Sequence, residues 1–577
     1  MNRRNFLETA AVGCLSAPLI STFSTSAQAE PRRLAPAQSS NEFSADVVVA
    51  GGGLGGCAAA LAALRANLRV ILTEETDWIG GQIAQQGVPP DEHQWIETHG
   101  ATQLYRSFRS AVRDYYRRHY PLTDEAKSRK NLNPGDGAVS RLCHEPRVAL
   151  AVLLDMLVPY LSSQQLILLL EHKVVGADVS GDRVRALKAV SYRSQKQVEL
   201  TAPYFVDATE LGDLLPLTNT EFVTGTESRK ETGELHAPEK ADPTNQQSFT
   251  VCFAMDYVPE INGQKVSHLI EKPKEYDFWK NYIPKLSPAW SGKLLDLSYS
   301  NPSTLEPKQL GFHPEGIQTG SMLNLWNYRR LISKANFKPG AYQSDITVVN
   351  WPQNDYFLGN LVGVSDKEFK KHVDRAKQLS LSLFYWLQTE APRPDGGLGW
   401  PGLRLRPDIM GTEDGMAKYP YVRESRRIKA VFTVLEEHVG TANRAMITGQ
   451  KTGNTAADFY DSVGVGYYHI DLHPSSQGNN YIDFASLPFQ IPLGALLPKR
   501  VENLLPANKN IGTTHLTNGC YRLHPVEWSI GEAVGQLVVF ALTKKVIPRA
   551  VREQKPLLEE FQNRIRSQGI ETHWPKP

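Results

Sequence analysis

Residues 517–535, TNGCYRLHPVEWSIGEAVG, bring Arg522, His524 and Glu527 to the start of a small, apolar segment. A guanidinium holds an anion, an imidazole moves a proton, and a carboxylate accepts hydrogen bonds or a proton. Far upstream, Gly51, Gly53 and Gly56 form G-x-G-x-x-G. That spacing serves a tight turn, close approach of backbone to a pyrophosphate, and close packing of helix on strand. The elements that must position these glycines flank them. Residues 46–50 are a short β-branched run, as in a buried parallel strand, and 55–66 are a helix of alanine and leucine whose N-terminus can hold phosphate. A second strand, 69–73, ends at Glu74, where a carboxylate accepts from ribose hydroxyls. Together they predict a dinucleotide-binding β-α-β unit.

The whole chain sets the frame. Its 577 residues exceed one ordinary core, so two intertwined domains are expected. A net charge of +2 and 41% hydrophobic residues describe a globular protein, with no electrostatic case for nucleic acid and no span for a membrane. The first residues differ. Arg3, Arg4, Phe6 and Leu7 precede a short apolar run and then Ala27-Gln28-Ala29, which resembles a twin-arginine signal with an A-x-A cleavage site. We expect a signal peptide over 1–29, a partner in the twin-arginine export machinery, and a periplasmic or extracellular mature protein. Cys57, Cys143, Cys252 and Cys520 then remain, with no C-x-x-C pair, so neither a zinc site nor a disulfide scaffold is expected.

ETDWIGGQIAQQGV follows the acidic strand end, and YFVDATELGDL occupies 204–214. These segments resemble the FAD-dependent oxidoreductase family, the glutathione-reductase and fumarate-reductase type of flavoprotein. The resemblance implies FAD. It implies an α/β fold, with a Rossmann-like FAD-binding domain of glutathione-reductase type and an inserted α+β substrate or cap domain. On it, Gly80, Gly81 and Gln82 run along the flavin. Asp207, Ala208, Thr209 and Gly212 return the chain to the cofactor, and Val174, Asn508 and Pro525 complete the set. Glu210 stands where many relatives have glycine. The closing helix would aim its positive end at the flavin, setting Arg522, His524 and Glu527 as catalytic groups where substrate meets it. His524 is then the base. A pair of Arg522 and Glu527 that merely caps the helix is the other reading. Gly531 and Gly535, four apart, share a face and permit close packing.

The implied organisation is a linker at 30–43, FAD-binding parts at 44–220 and 485–545, an insertion at 221–484 and a helical tail at 546–577. Residues 216–247 read as a polar surface excursion or lid. Tyr467, His469, Asp471 and His473 alternate with Tyr468, Ile470 and Leu472, giving a strand with one polar, substrate-facing side. A straight strand spaces such side chains by nearly 7 Å, too far apart for three to share a metal. Arg404 and Arg406, with Arg423, Arg426 and Arg427, suit either an anionic substrate or domain-interface ion pairs. Asp91, Glu92, His93 and His99 follow the Gly-Gly pair; His93 fits a base, a covalent flavin anchor or a solvated loop. His469, Arg404, Arg406 and His93 are thus the expected substrate contacts. The expected function is dehydrogenation of a small organic substrate, anionic in the reading where the arginines bind it, by hydride transfer to flavin N5. A flavin hydroxylase or reductase fed by an outside donor, or a non-catalytic FAD-containing binding protein, stands as the alternative. Oligomeric state is not legible.

Overall fold

The computed structural model describes residues 41–317, 320–450 and 455–575. The expected signal peptide and nearly all of the linker lie outside the described residues. A β-α-β unit opens the chain: Val47–Ala50 (β1), helix Leu54–Arg65 (α1) and Val70–Glu74 (β2). Every residue of β1 and β2 is buried, as their near-continuous apolar runs require. Val47, Val49, Val70 and Leu72 face the helices, and Val48, Ala50 and Ile71 face Val174, Val184 and Leu187 on the other side. Leu166–Leu170 (β3) extends the sheet, His172–Ser180 (β4) turns off into a smaller antiparallel ribbon, and Tyr204–Asp207 (β5) returns beside β1.

Residues 208–503 then leave this sheet. Within them Phe253–Tyr257 (β6), Ile346–Val349 (β7) and Leu403–Leu405 (β8) pair antiparallel with β6 in the middle, and Asp366–Thr389 (α2) packs nearby. Ile470–Leu472 (β9) and Ile482–Phe484 (β10) form an antiparallel pair. A second apolar core gathers here, including Phe253, Met255, Trp326, Trp351 and Phe384. The chain returns as Leu504–Pro506 (β11), followed by His515–Tyr521 (α3) and His524–Lys544 (α4). The five parallel strands run in the order β11-β5-β1-β2-β3.

Helices α1 and α4 are buried along nearly their whole length and meet backbone to backbone. A Cβ on Gly531 would lie 2.0 Å from the Gly55 carbonyl oxygen, and one on Gly535 would lie 2.5 Å from that of Ala59. The shared glycine face is used on α1 itself. By length and composition α4 could cross a membrane, but 89% of its apolar window is buried in the protein, so it is a core helix.

The stretch 216–247, expected as a polar surface excursion or lid, is exposed over much of its length but anchored at Glu234, which is buried and joins two distant segments. Its Oε1 accepts from Thr514 Oγ1 at 2.7 Å and from the Glu436 amide at 2.8 Å.

Candidate active site

The C-terminal ends of β1, β2 and β5 converge on a cleft lined by Gly51, Gly53, Glu74, Val174, Thr209 and Glu210. Glycine is required at its floor. Gly51 has φ +99°, and a Cβ there would lie 2.2 Å from the Ala208 carbonyl oxygen. A Cβ on Gly56 would stand 1.9 Å from the Gly51 carbonyl oxygen, so the turn and helix close on each other. Gly80 and Gly81 also have positive φ, and the Gly80 amide donates to the Gly52 carbonyl at 2.7 Å.

Glu74 ends β2 and is buried; its Oε2 accepts from the Gly52 amide at 2.9 Å, and burial pushes its carboxyl up to about 7. Asn508 is buried and donates from Nδ2 to the Ala208 and Thr209 carbonyls, tying β11 to β5. Lys509, unnoticed in the sequence, is buried beside it, with Nζ 2.6 Å from Glu210 Oε2. The other Glu210 oxygen is buried with no partner among the described residues, 3.2 Å and 3.3 Å from where Cβ atoms on Gly53 and Gly81 would sit. A backbone cradle beside orphaned polar atoms of Glu210, Gln85 and Gln86 fits a hydroxyl-rich dinucleotide.

Three cofactor-set residues act indirectly. Asp207 turns inward, its Oδ1 accepting from the Thr209 amide at 3.1 Å and Oδ2 from that of Leu214 at 3.2 Å, so it shapes the turn. Gly212 packs on Arg426, since a Cβ there would lie 3.1 Å from that residue's Cβ and carbonyl oxygen. Pro525 sits in the first turn of α4, where it pre-sets the helical φ.

Glu527 is a buried tie behind the glycine turn, lining neither the cleft nor the charged cavity, which corrects its catalytic assignment. It is fully buried, Oε1 accepting from the Gly55 amide at 3.3 Å and Oε2 from Gln82 Nε2 at 2.5 Å. Its carboxylate joins the start of α1 to Gln82, whose amide also donates to the Arg522 carbonyl at 3.0 Å.

A separate cavity of about 390 Å³ is lined by Asp91, Arg329, Arg423, Asp471, His473 and Arg522, with His469 and several tyrosines completing it. Arg522 reaches it from the α3–α4 junction, and Asp471 and His473 come from β9 and the residue after it. Arg329 was missed as a site residue, because nothing in its local sequence marks the cavity wall, whereas Arg423, read in the arginine cluster as suited to an anion or to ion pairs, does line it. Each arginine has one carboxylate: Arg329 Nη1–Asp91 at 3.0 Å, Arg423 Nη2–Asp355 at 2.9 Å and Arg522 Nη2–Asp471 at 3.0 Å. Each also keeps a buried Nε with no partner among the described residues. Burial opposes ionisation of Asp355, but Arg423 and His473 outweigh it and hold the carboxyl below the usual range. Asp471 is likewise held low by His473 and Arg522 against burial.

His524 is not placed to act as a base. It is fully buried, and its Nδ1 accepts the Asp91 amide at 3.0 Å. The proton of the neutral ring is then on Nε2, which can donate but not receive. Burial also lowers its pKa to about 3. His93 is corrected too. Its ring packs with Trp95, Tyr467 and Trp574, and Nε2 meets the Gly100 carbonyl at 3.1 Å, so it is part of an aromatic nest.

Arg404 and Arg406 do not line the cavity. Both are held by Asp256, at 2.6 and 3.0 Å, and Arg406 also by Asp408 at 2.7 Å. They are ion pairs inside one sheet and the turn after it, Arg404 lying directly across from Asp256 on the neighbouring strand, and not pairs between domains. Arg426 pairs with Asp213 at 3.1 Å, and Arg427 is buried between Glu227 and Glu424. The expected alternation over 467–473 fails at its start. The preceding strand stops at Gly466 and β9 begins only at Ile470, so Tyr467 joins His93 while Tyr468 enters the cavity.

No curated protein matches the chain in sequence. Among solved structures it resembles an L-proline dehydrogenase from P. horikoshii (16% identity, 32% of this chain and 24% of that one, TM-score 0.16). It also resembles the OxyS anhydrotetracycline hydroxylase from Streptomyces rimosus (10%, 91% and 66%, 0.34). A third is the p-nitrophenol 4-monooxygenase PnpA from Pseudomonas putida DLL-E4 (11%, 92% and 88%, 0.33). The chain thus spans about a quarter of the first protein's length and two thirds of the second's. Scores this low carry no chemistry across. The family model of FAD dependent oxidoreductases, by contrast, matches residues 46–565. A glycine-floored cleft at the strand ends, a separate charged cavity and this match lead to one conclusion: the chain belongs to the FAD-dependent oxidoreductase family and is an enzyme of that kind.

Proposed function

We propose that this enzyme is an exported dehydrogenase of a small anionic organic substrate, which gives up hydride to the flavin. The observation that carries the reading is a cavity walled by three arginines, Arg329, Arg423 and Arg522. A guanidinium offers five donors in a fixed fork. Arg423 spends its Nη donors on Asp355, Ser248, Thr250 and Asn350, so it holds the wall in place and supplies positive charge. Arg329 and Arg522 are the better placed to meet a planar anionic guest. When bound, FAD supplies the hydride acceptor, N5.

The chain's own residues do the rest. The glycine floor and Glu74 receive the dinucleotide, and Lys509 with Glu210 sets charge beside it. Arg329 and Arg522 orient the anion, and the aromatic and apolar walls, Tyr421, Tyr468 and Trp351 among them, exclude water. In this reading 44–220 and 485–545 form an FAD-binding domain of glutathione-reductase type and 221–484 covers the flavin. The Arg3-Arg4 signal and Ala27-Gln28-Ala29 site support export to the periplasm or beyond.

The test uses the FAD-loaded protein without residues 1–29. A visible spectrum and acid precipitation establish whether FAD is bound and whether it is released. An anaerobic screen of hydroxy- and amino-carboxylates against neutral alcohols then watches the flavin bleach. Bleaching by carboxylates alone is the expected result; bleaching by neutral compounds alone overturns the anionic assignment.

A further inference from the structure

With His524 unable to accept a proton, the dehydrogenation proposed above lacks a base. We infer that His473 is that base, a catalytic residue held in its working tautomer by the positioning residue Asp355; the inference rests on the reading of the cavity as the substrate site.

His473 follows β9 and lines the cavity. Its Nδ1 lies 2.6 Å from Asp355 Oδ2, and Asp355 is fully buried. Asp355 is kept ionised by Arg423, 2.9 Å from its other oxygen, and Thr250 Oγ1 donates to that same oxygen at 2.6 Å. An ionised carboxylate only accepts, so Nδ1 must donate and the lone pair of the neutral ring is on Nε2. This is the reverse of His524, where a backbone N–H claims Nδ1.

Nε2 faces Asp471 Oδ2 at 3.5 Å, a separation with room for one more proton. Asp471 is in turn paired with Arg522 at 3.0 Å. The remaining neighbours fix the ring without competing for that nitrogen. Gln247 Oε1 accepts the His473 backbone amide at 3.3 Å, and the Tyr481 ring stands edge-on at 5.3 Å. The order is therefore Arg423–Asp355–His473–Asp471–Arg522, with the imidazole between two carboxylates and each carboxylate held by an arginine.

The step balances. An O–H or N–H bond of the substrate breaks, and its proton passes to Nε2. The bonding pair becomes the new C=O or C=N bond, and bound FAD would supply the acceptor for the hydrogen and electron pair of the neighbouring C–H. The two carboxylates then hold one N–H each of the imidazolium.

Three readouts on the FAD-loaded enzyme test this. First, the difference between histidine-labelled nitrogen-15 spectra of wild type and His473→Gln should give the 473 ring as Nδ1–H with Nε2 free; an Nε2–H tautomer overturns the proposal. Second, malonate, which has two carboxylates and nothing to oxidise, is titrated by calorimetry in two buffers of different ionisation heat. Wild type should take up protons on binding, whereas His473→Gln should bind within about threefold and take up none; unchanged uptake in the variant overturns the proposal. Third, with a carboxylate that bleaches the flavin, His473→Gln should slow reduction roughly 100- to 10,000-fold and abolish its rise with pH. Asp355→Asn should shift that pH profile, while Asp355→Glu restores it. A rate and profile untouched by His473→Gln overturn the assignment. Failure of malonate to bind wild type would instead count against the anionic site, and the tautomer would still decide for or against His473.

Discussion

The cofactor cleft and the charged cavity are built on opposite principles. The cleft is backbone: glycines at β1 and its turn, placed by a β-α-β unit local in sequence and closed by α4. The cavity is side chain: arginines and acids delivered from positions 91, 329, 423, 471 and 522, each needing the others for charge balance. The first tolerates almost no added atom and the second almost no lost partner. The same contrast separates the two histidines, since a backbone N–H silences His524 while a carboxylate arms His473.

The most damaging change should be Gly531→Ala. Its Cβ would stand 2.0 Å from the Gly55 carbonyl oxygen, backbone on both sides, so about 3 kcal/mol or more of stability should go. Thermal melting and soluble yield would measure it, and an unchanged melting temperature would break the backbone half of the comparison. Gly51→Ala should come next, leaving the second core intact but losing bound flavin, read as the flavin-to-protein absorbance ratio. Arg522→Lys keeps the charge and loses the fork, so malonate should bind roughly 10- to 100-fold more weakly with FAD content preserved.

A smaller effect concerns pH. Burial raises Glu74 from 4.5 to about 7, so between those values the folded chain keeps a proton that the unfolded chain has released. The contribution is fully present below about pH 4.5 and is lost as pH rises through about 7. Denaturant titrations of cofactor-free protein should show Glu74→Gln flattening that decline by at most about 3 kcal/mol. Smallest of all, Arg404→Ala should leave flavin reduction unchanged and cost no more than about 1 kcal/mol. It is a partly exposed ion pair, and Arg406 still holds Asp256.

These differences explain what could be read in advance. Strand, glycine turn, helix and acidic strand end are local patterns, and β1, α1 and β2 appear within a residue of their expected places. Gly531 and Gly535 were legible for the same reason, since helical spacing alone put them on one face. The cavity was not. Arg404 and Arg423 look equally available in sequence, and only the long-range partners Asp256 and Asp355 separate the structural ion pair from the cavity wall. His93 and His524 misled because neither a ring's tautomer nor its packing is written nearby. His473 was legible as part of a substrate-facing segment, but its role was not, because that rests on pairing with a carboxylate 118 residues away, which no local pattern carries.

The mating of α1 with α4 has a consequence in time. The glycine turn of the cleft runs directly into residues 54–65, and the helix that packs on them is 524–544, so the first helix waits for nearly the whole chain before its glycine face is covered. Contacts of such sequence separation form late and slowly. A nascent chain that has emerged as far as β5 exposes a nearly uniformly apolar α1 and an unclosed sheet edge, the kind of surface on which chaperones act. Cofactor capture therefore belongs to the end of folding, and a chain stopped before residue 504 should be colourless however well its first half is made.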